Sequence, residues 1–229
     1  MSEDDSPTGL SRRGFIKATA AMAGPLLLPS IALATADQKA GAVKPKVDLD
    51  HFVQDCIDAN GEADSQAAVL EVLARAVHDP HSMLRALGEP QRAGISVIHR
   101  SPTLTIFNAA WTPRMNLMPH DHLMWANIGI YTGREDNIFW HRGEGRIEAV
   151  EAKALFEGDA APLMADAIHS VTNPLLRYTG GIHIYGGDFF ATTRSEWDPE
   201  SMDERPSDGD SIRRMFEREN ERLGIPAAT

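Results

Sequence analysis

Two hydrophobic patterns divide the chain near residue 94. Between residues 47 and 87, apolar residues recur at helical spacing, which predicts three helices before the break at Gly88 and Pro90. From residue 94 onward, short apolar runs alternate with clusters of Gly, Pro, Asn and Asp, which predicts many short strands. Strands at this spacing favour a sandwich or barrel over alternating βα units. A helical stripe over residues 208–223 predicts a C-terminal helix.

Each predicted helix has one apolar face that should pack against the remaining structure. In chain order these faces comprise Phe52, Val53, Cys56 and Ile57; then Ala68, Val69, Val72, Leu73 and Ala76; then Met83, Leu84 and Leu87; and finally Ile212, Met215, Phe216 and Leu223. Asp64 or Ser65 is expected to cap the second helix, since both side chains accept hydrogen bonds from free backbone N–H groups.

The first 36 residues have the organisation of an export signal. Arg12 and Arg13, followed by Phe15 and Lys17, precede a modestly apolar stretch and small residues at 32–36. The arginine pair resembles the bacterial twin-arginine signal, which implies transport to the periplasm by the twin-arginine machinery. An amphipathic helix with a chance arginine pair is the alternative. The apolar stretch is short and broken by prolines, and no cysteine follows it, so no stable membrane anchor is expected.

These patterns predict three parts of the chain. Residues 1–36 form the signal peptide, residues 37–93 a linker and an N-terminal helical segment, and residues 94–229 the barrel with its C-terminal helical extension.

Composition excludes nucleic acid binding and the structures that need several cysteines. The chain has 22 basic and 33 acidic residues and a net charge of −11, so it lacks the basic surface that nucleic acid binding requires. Its single cysteine, Cys56, excludes an intrachain disulfide framework and a thiolate zinc site.

Two histidines stand one residue apart in the strand-like run PHDHLMWANIGIYTG, residues 119–133. Side chains alternate between the two faces of a strand, so His120 and His122 point the same way and Asp121 points oppositely. Such a pair predicts part of a metal site that needs further ligands. Buried histidines satisfied by hydrogen bonds are the alternative.

The run GDAAPLMADAIHSVTN contains a third histidine, His169. Together with the first pair, it resembles the two sequence motifs of the cupin superfamily. The matching positions are His120, His122, Gly133, Gly158, His169 and Asn173. Met164 and Asp166 stand where the second motif has Pro and Gly.

This resemblance implies a mainly β fold, a cupin jelly roll (double-stranded β-helix) barrel with N-terminal helices and a C-terminal helix. It also implies that His120, His122 and His169 bind a metal. Ala126 or Asn127 stands where most cupins have a glutamate ligand, so the implied ligand set is three histidines. Imidazoles suit Fe, Ni, Cu and Zn alike. Among cupins the three-histidine set is known from the thiol dioxygenases, which implies Fe(II).

The run GGIHIYGG, residues 180–187, extends the resemblance to the thiol dioxygenases. That family has a Ser-x-His-x-Tyr run about fifteen residues after the third ligand. His183 and Tyr185 match its last two positions, and Gly181 replaces the serine. The resemblance implies that His183 and Tyr185 are catalytic; ordinary barrel lining is the alternative.

Arg194 lies nine residues past Tyr185, where the 3-mercaptopropionate branch of the family has an arginine that pairs with the substrate carboxylate. A guanidinium suits this role because it offers a planar, two-pronged set of donors. Arg100 is the other candidate, by analogy with the cysteine branch. A surface salt bridge is the alternative for Arg194.

The resemblance as a whole implies a non-haem Fe(II) thiol dioxygenase-like enzyme. Its expected substrates are O₂ and a small thiol carboxylate of the 3-mercaptopropionate or cysteine type, and its product is a sulfinate. Two alternatives stay open: a metal-dependent cupin enzyme on a non-thiol substrate, and a non-catalytic periplasmic cupin that binds a metal or ligand.

Overall fold

The structure is a computed structural model, and it describes residues 47–226 of the chain. The predicted signal peptide and the linker up to residue 46 lie outside the described residues. Within residues 47–226, no helix has both the length and the apolar composition that a membrane crossing requires.

Three helices come first in the described part: α1 (Leu49–Ala59), α2 (Ser65–Val77) and α3 (Pro80–Leu87). Each begins after an aspartate whose carboxylate accepts a hydrogen bond from the first turn. Asp64, and not Ser65, is the cap of α2. The predicted apolar faces are largely buried, but two predicted members, Ile57 and Leu223, are each 39% exposed. Ile57 lies at the edge of the α1 face beyond the buried Phe52 and Cys56, and Leu223 lies just past the end of the C-terminal helix.

The strands and the fourth helix follow. They are β1 (Gly94–Arg100), β2 (Thr105–Trp111), β3 (Asn116–Asp121), β4 (Ala126–Thr132), β5 (Arg134–Arg142), β6 (Ile147–Phe156), β7 (Ala160–Leu163), β8 (Ile168–Thr172), β9 (Thr179–Tyr185), β10 (Ser195–Trp197), β11 (Glu204–Pro206) and α4 (Gly209–Arg222).

The described strands form two antiparallel sheets whose connections alternate between the sheets. The five-stranded sheet has the order β1-β2-β9-β4-β7, and the six-stranded sheet has the order β11-β10-β3-β8-β5-β6. From β6 to β10, every consecutive pair of strands crosses from one sheet to the other. This is the connectivity of a jelly roll, and it confirms the predicted mainly β, cupin-type barrel with N-terminal helices and a C-terminal helix.

The N-terminal helices cover the outer face of the five-stranded sheet. Phe52, Val69 and Leu73 pack there against Ile182 and Ile184 of β9. Because side chains alternate along a strand, this packing turns the neighbouring histidine and tyrosine of β9 into the barrel. Helix burial on one face therefore fixes which residues of β9 reach the interior.

A cavity of about 30 Å³ lies inside the barrel, next to α4. Its polar lining residues include His120, His169, His183 and Tyr185, and the remainder are mainly apolar. A surface groove of about 340 Å³ shares three lining residues with this cavity: Ile95, Ile212 and Phe216. Side chains of β1 and α4 thus form the wall between the barrel interior and solvent.

Candidate metal centre

The three predicted metal ligands lie together inside the barrel. His120 in β3 is paired with His169 in β8, and His122 follows β3 directly. One ring nitrogen from each lies within 4.8 Å of those of the other two. The three side chains are buried, with at most 8% exposure. Within residues 47–226, no other cluster of three or more His, Cys, Asp or Glu side chains has this geometry.

Hydrogen bonds fix the tautomers of two of these histidines. His120 Nδ1 lies 3.0 Å from the Met118 carbonyl oxygen, and His169 Nδ1 lies 2.7 Å from Asn137 Oδ1. Both oxygens only accept, so both Nδ1 atoms carry the proton and both Nε2 atoms keep a free lone pair. His120 and His169 can therefore each bind a metal through Nε2.

The remaining polar contacts of the cluster fit a metal ion. His122 Nε2 lies 3.2 Å from His169 Nε2, and His122 Nδ1 is buried without a hydrogen-bond partner in the described part of the chain. Two nitrogens at this separation can both lie about 2.1 Å from one ion, the usual metal–imidazole distance. The group could therefore bind a metal, and imidazole ligands alone suit several divalent ions.

Burial keeps these imidazoles in the form that binds metals. Desolvation lowers the pKa of His120 to about 4. Desolvation, followed by repulsion from neighbouring histidines, holds the pKa values of His122 and His169 well below 6.5. All three rings are neutral at pH 7, so a metal ion does not have to displace protons from them.

Strand β4 supplies no fourth ligand at the position where most cupins have glutamate. Ala126 is buried in the barrel core, and Asn127 faces the helices, where its Nδ2 donates to the Gln66 carbonyl oxygen at 3.0 Å. The ligand set that the described residues offer is three histidines without a carboxylate.

His183 and Tyr185 face the same cavity as the cluster. The Tyr185 hydroxyl lies 3.4 Å from His183 Nδ1, and the Tyr185 ring packs edge-on against the His122 ring with centroids 4.9 Å apart. Burial raises the pKa of Tyr185 well above its usual value, so the side chain is a neutral phenol at pH 7. Gly181 supplies no side chain here, and a Cβ at that residue would lie 2.9 Å from Ile130 Cδ1.

Arg194 is buried beside the cluster, with 9% exposure. Its guanidinium carbon lies 3.7 Å from the centroid of the Phe189 ring, and its buried Nη1 has no hydrogen-bond partner among the described residues. Burial is the largest cause of the lowered pKa of His120, and the positive charge of Arg194 lowers that pKa further. The two side chains therefore interact electrostatically. Burial also lowers the pKa of Arg194 itself, but a guanidinium stays charged at neutral pH.

Asp121, between the first two histidines, faces out of the barrel as strand alternation predicts. Its Oδ1 accepts a hydrogen bond of 2.8 Å from the backbone N–H of Ser195, and its side chain is 3% exposed. Its Oδ2 lies 3.5 Å from Arg142. The aspartate therefore anchors the start of β10, directly after Arg194.

Arg100, the other candidate for a substrate-binding arginine, lies at the surface. It forms a two-pronged ion pair with Asp188, with N···O distances of 2.9 and 3.0 Å, and its side chain is 48% exposed. Its guanidinium already has a carboxylate partner, whereas no ion pair joins Arg194 to a carboxylate of the described residues.

Two residues that sequence reasoning missed, Glu135 and Asn137, connect the cluster to His183. Glu135 is fully buried, and it accepts hydrogen bonds from Trp111 Nε1 at 3.0 Å and from Asn137 Nδ2 at 3.1 Å. Asn137 in turn accepts from His169. The only sequence signal is two polar residues at alternate positions of a strand, and a solvated strand face gives the same signal.

Comparisons with known proteins show similarity of fold only. No family model and no curated protein matches the chain. An uncharacterised protein with a double-stranded β-helix domain from Klebsiella pneumoniae is 16% identical, with 53% of this chain and 87% of that chain covered and a TM-score of 0.33. An RmlC-like cupin family protein from Methanocaldococcus jannaschii is 9% identical, with 45% and 87% covered and a TM-score of 0.39. A cupin superfamily protein from Desulfitobacterium hafniense is 14% identical, with 46% and 88% covered and a TM-score of 0.38.

These neighbours are cupin or double-stranded β-helix proteins. At such identities and TM-scores the likeness says nothing about activity or substrate. The strand order of this chain defines its fold, and its own side chains determine what the site can do.

Proposed function

We propose that the protein is a non-haem Fe(II) thiol dioxygenase-like enzyme that oxidises a small thiol carboxylate to a sulfinate with O₂. The observation that carries the proposal is the buried guanidinium of Arg194. Its Nη1 has no hydrogen-bond partner in the described part of the chain, and its charge acts on the neutral imidazoles of His120 and His122. A buried cationic donor without an acceptor is costly, so its natural partner is an anionic group of the ligand.

The three histidines would hold the metal by Nε2 of His120 and His169 and by a ring nitrogen of His122. Three neutral ligands leave positions open for other groups. When bound, Fe(II) supplies the redox chemistry that transfers both oxygen atoms of O₂ to the thiol sulfur: RSH and O₂ give RSO₂H.

The protein's own residues would position the substrate. Arg194 would bind its carboxylate through charge-assisted hydrogen bonds, with the Phe189 ring supporting the guanidinium from one side. The phenol of Tyr185 would hydrogen-bond to the substrate, since it remains neutral at pH 7.

The cavity lining favours a substrate without an amine. None of the described residues that line the cavity is acidic, so an ammonium group would find no carboxylate partner there. This favours the 3-mercaptopropionate type over cysteine. A volume of about 30 Å³ holds one or two water molecules, so binding requires a shift of the wall formed by Ile95, Ile212 and Phe216.

Metal content and oxygen consumption test the proposal directly. Protein lacking residues 1–36 is purified anaerobically, its metals are quantified, and O₂ uptake is followed with 3-mercaptopropionate and with cysteine. We expect about one iron per chain and thiol-dependent uptake with a sulfinate product. His169→Gln should lose both metal and uptake, whereas His51→Gln, at an exposed helix position, should lose neither.

Two outcomes would contradict the proposal. Stoichiometric metal with uptake only on a non-thiol panel of catechols and diketones would indicate another cupin oxygenase. Stoichiometric metal without turnover on any of these substrates would indicate a binding protein.

A further inference from the structure

Glu135 is a carboxylate buried inside the barrel, and no arginine or lysine among the described residues is paired with it. It lies on β5, in the six-stranded sheet, whereas His183 lies on β9 in the opposite sheet. Its Oε2 is 3.3 Å from His183 Nε2, and both side chains are at most 4% exposed. His183 is the only basic side chain within ion-pair distance of Glu135 in residues 47–226.

The Glu135 carboxylate accepts two hydrogen bonds and can accept a third from His183. Trp111 Nε1 donates to Oε2, and Asn137 Nδ2 donates to Oε1. His183 Nε2 is within ion-pair distance of Oε2, but it is off the angle of a hydrogen bond and has no other partner among the described residues. A small rotation of the imidazole would turn this close contact into a hydrogen bond.

The two ring nitrogens of His183 thus face groups of opposite character. Nε2 faces a carboxylate, which only accepts when ionised, and Nδ1 faces the Tyr185 hydroxyl, which can donate. An ionised carboxylate favours the tautomer with the proton on Nε2. That tautomer leaves Nδ1 as the acceptor for the tyrosine.

We propose that Glu135 is a positioning residue that holds the His183 proton on Nε2 and so completes a Glu135–His183–Tyr185 relay that accepts the proton of the substrate thiol. In this step the thiol S–H bond breaks and its proton passes to the Tyr185 oxygen. The tyrosine proton passes to His183 Nδ1, and the resulting imidazolium is paired with the Glu135 carboxylate. The thiolate keeps the S–H electron pair, and no oxidant is consumed.

This inference rests on the proposed function only for the identity of the proton donor. A second reading of the same contacts is purely structural: Glu135 would merely hold Trp111 and Asn137 in place. The experiment must therefore report on His183 itself, and it must not depend on thiol turnover.

The tautomer of His183 is measured by ¹⁵N NMR of ¹⁵N-histidine-labelled protein loaded with Zn(II), with the resonances assigned by His183→Gln. We expect a protonated Nε2 and an unprotonated Nδ1. In Glu135→Gln we expect at least a tenfold rise in the ratio of the Nδ1–H to the Nε2–H form. Trp111→Phe removes a different contact of the same carboxylate, and it should leave the tautomer unchanged.

An Nδ1–H tautomer in the unmodified protein would overturn the inference, as would an unchanged tautomer in Glu135→Gln. An equal change in Trp111→Phe would favour the structural reading. These results stand even if the protein oxidises no thiol, so failure of the relay and failure of the proposed function are distinguishable.

The kinetic part of the test uses a matched carboxylate. Glu196 is also fully buried, but it is bound by Arg205 and Ser211. We expect Glu135→Gln to lower kcat/KM for 3-mercaptopropionate by about 10- to 100-fold with unchanged iron content, and Glu196→Gln to have little effect. The loss should be smaller for cysteine, whose thiol ionises more readily. A parallel loss of iron, or an equal loss for both thiols, would contradict the relay.

Discussion

At the residue scale, burial separates side chains of the same type into different roles. Arg194 and Arg100 each lie over a phenylalanine ring, Phe189 and Phe190 respectively. Arg100 is half exposed and its charge is already paired, whereas the Nη1 of Arg194 is buried without a hydrogen-bond partner within residues 47–226. The unpaired guanidinium is the one that gains most from an anionic ligand, because its hydration has already been lost.

Replacing Arg194 should raise KM for the thiol carboxylate, whereas replacing Arg100 should not. Arg194→Ala removes a charge-assisted interaction worth about 2 kcal/mol, so we expect KM for a mercapto-acid to rise about 30-fold with iron content unchanged. Arg194→Lys should recover only part of the loss, since an ammonium lacks the planar pair of donors. Arg100→Ala is the matched control and should leave KM near its normal value. Loss of iron in parallel with affinity would contradict the proposed role of Arg194.

At the scale of elements, β3 serves two structures at once. It carries His120 of the metal site on its inward face, and the outward Asp121 binds the backbone of Ser195 at the start of β10. Strand alternation makes this possible, because adjacent residues of a strand face opposite sides. The position of Arg194 therefore depends on the strand that carries the histidines.

Substitution of Asp121 tests this link between strands. Asp121→Ala removes the acceptor of the partly buried Ser195 N–H. This loss should destabilise the fold by about 1 kcal/mol and raise KM for the thiol carboxylate. Asp121→Asn keeps an acceptor oxygen, so it should retain most of the stability and affinity. Thermal unfolding and steady-state kinetics measure both effects. If Asn is as harmful as Ala, the charge of Asp121 matters more than its hydrogen bond to Ser195.

At the scale of the whole molecule, the metal site is a buried polar cluster inside an apolar barrel. Burial lowers the pKa values of His120, His122 and His169 below 6.5, so the metal-free folded state resists protonation of these rings. The unfolded chain binds those protons normally. Folding stability and metal binding are therefore both linked to pH.

The sign of this linkage gives a testable result. Above pH 6.5 the rings are neutral in both states, and stability is fully present. As pH falls below 6.5 the unfolded state takes up protons first, so the unfolding free energy of the metal-free protein should fall by about 1.4 kcal/mol per histidine per pH unit. Urea unfolding between pH 7.5 and 5.5 measures this, before most carboxylates titrate.

Two controls accompany the pH series. His51→Gln removes an exposed histidine and should leave the slope unchanged. Protein loaded with Zn(II) at 100 times its Kd should be more stable by about 2.7 kcal/mol at pH 7.5. A metal-free protein whose stability is flat over this range would contradict burial of neutral histidines.

The sequence by itself determined the features that depend on local spacing. Helical periodicity predicted α1, α2, α3 and α4, and a cap at Asp64 or Ser65 was predicted for α2 alone. Strand alternation predicted that His120 and His122 would share a face with Asp121 opposite. The cupin motif added His169 as the third member of the cluster. The export signal also depends on local spacing, and it stays a prediction because it lies outside the described residues.

Only the tertiary structure decided which distant residues meet. The register of β5 against β8 pairs Asn137 with Val171, and this brings the asparagine beside His169 two residues away. Facing sheets then bring Glu135 next to His183, across 48 residues of sequence. Neither contact has a local signal, because a polar residue at an alternate strand position looks the same whether it faces solvent or a sealed interior. Burial is a property of the assembled layers, and burial distinguishes Glu135 and Arg194 from the exposed charges around them.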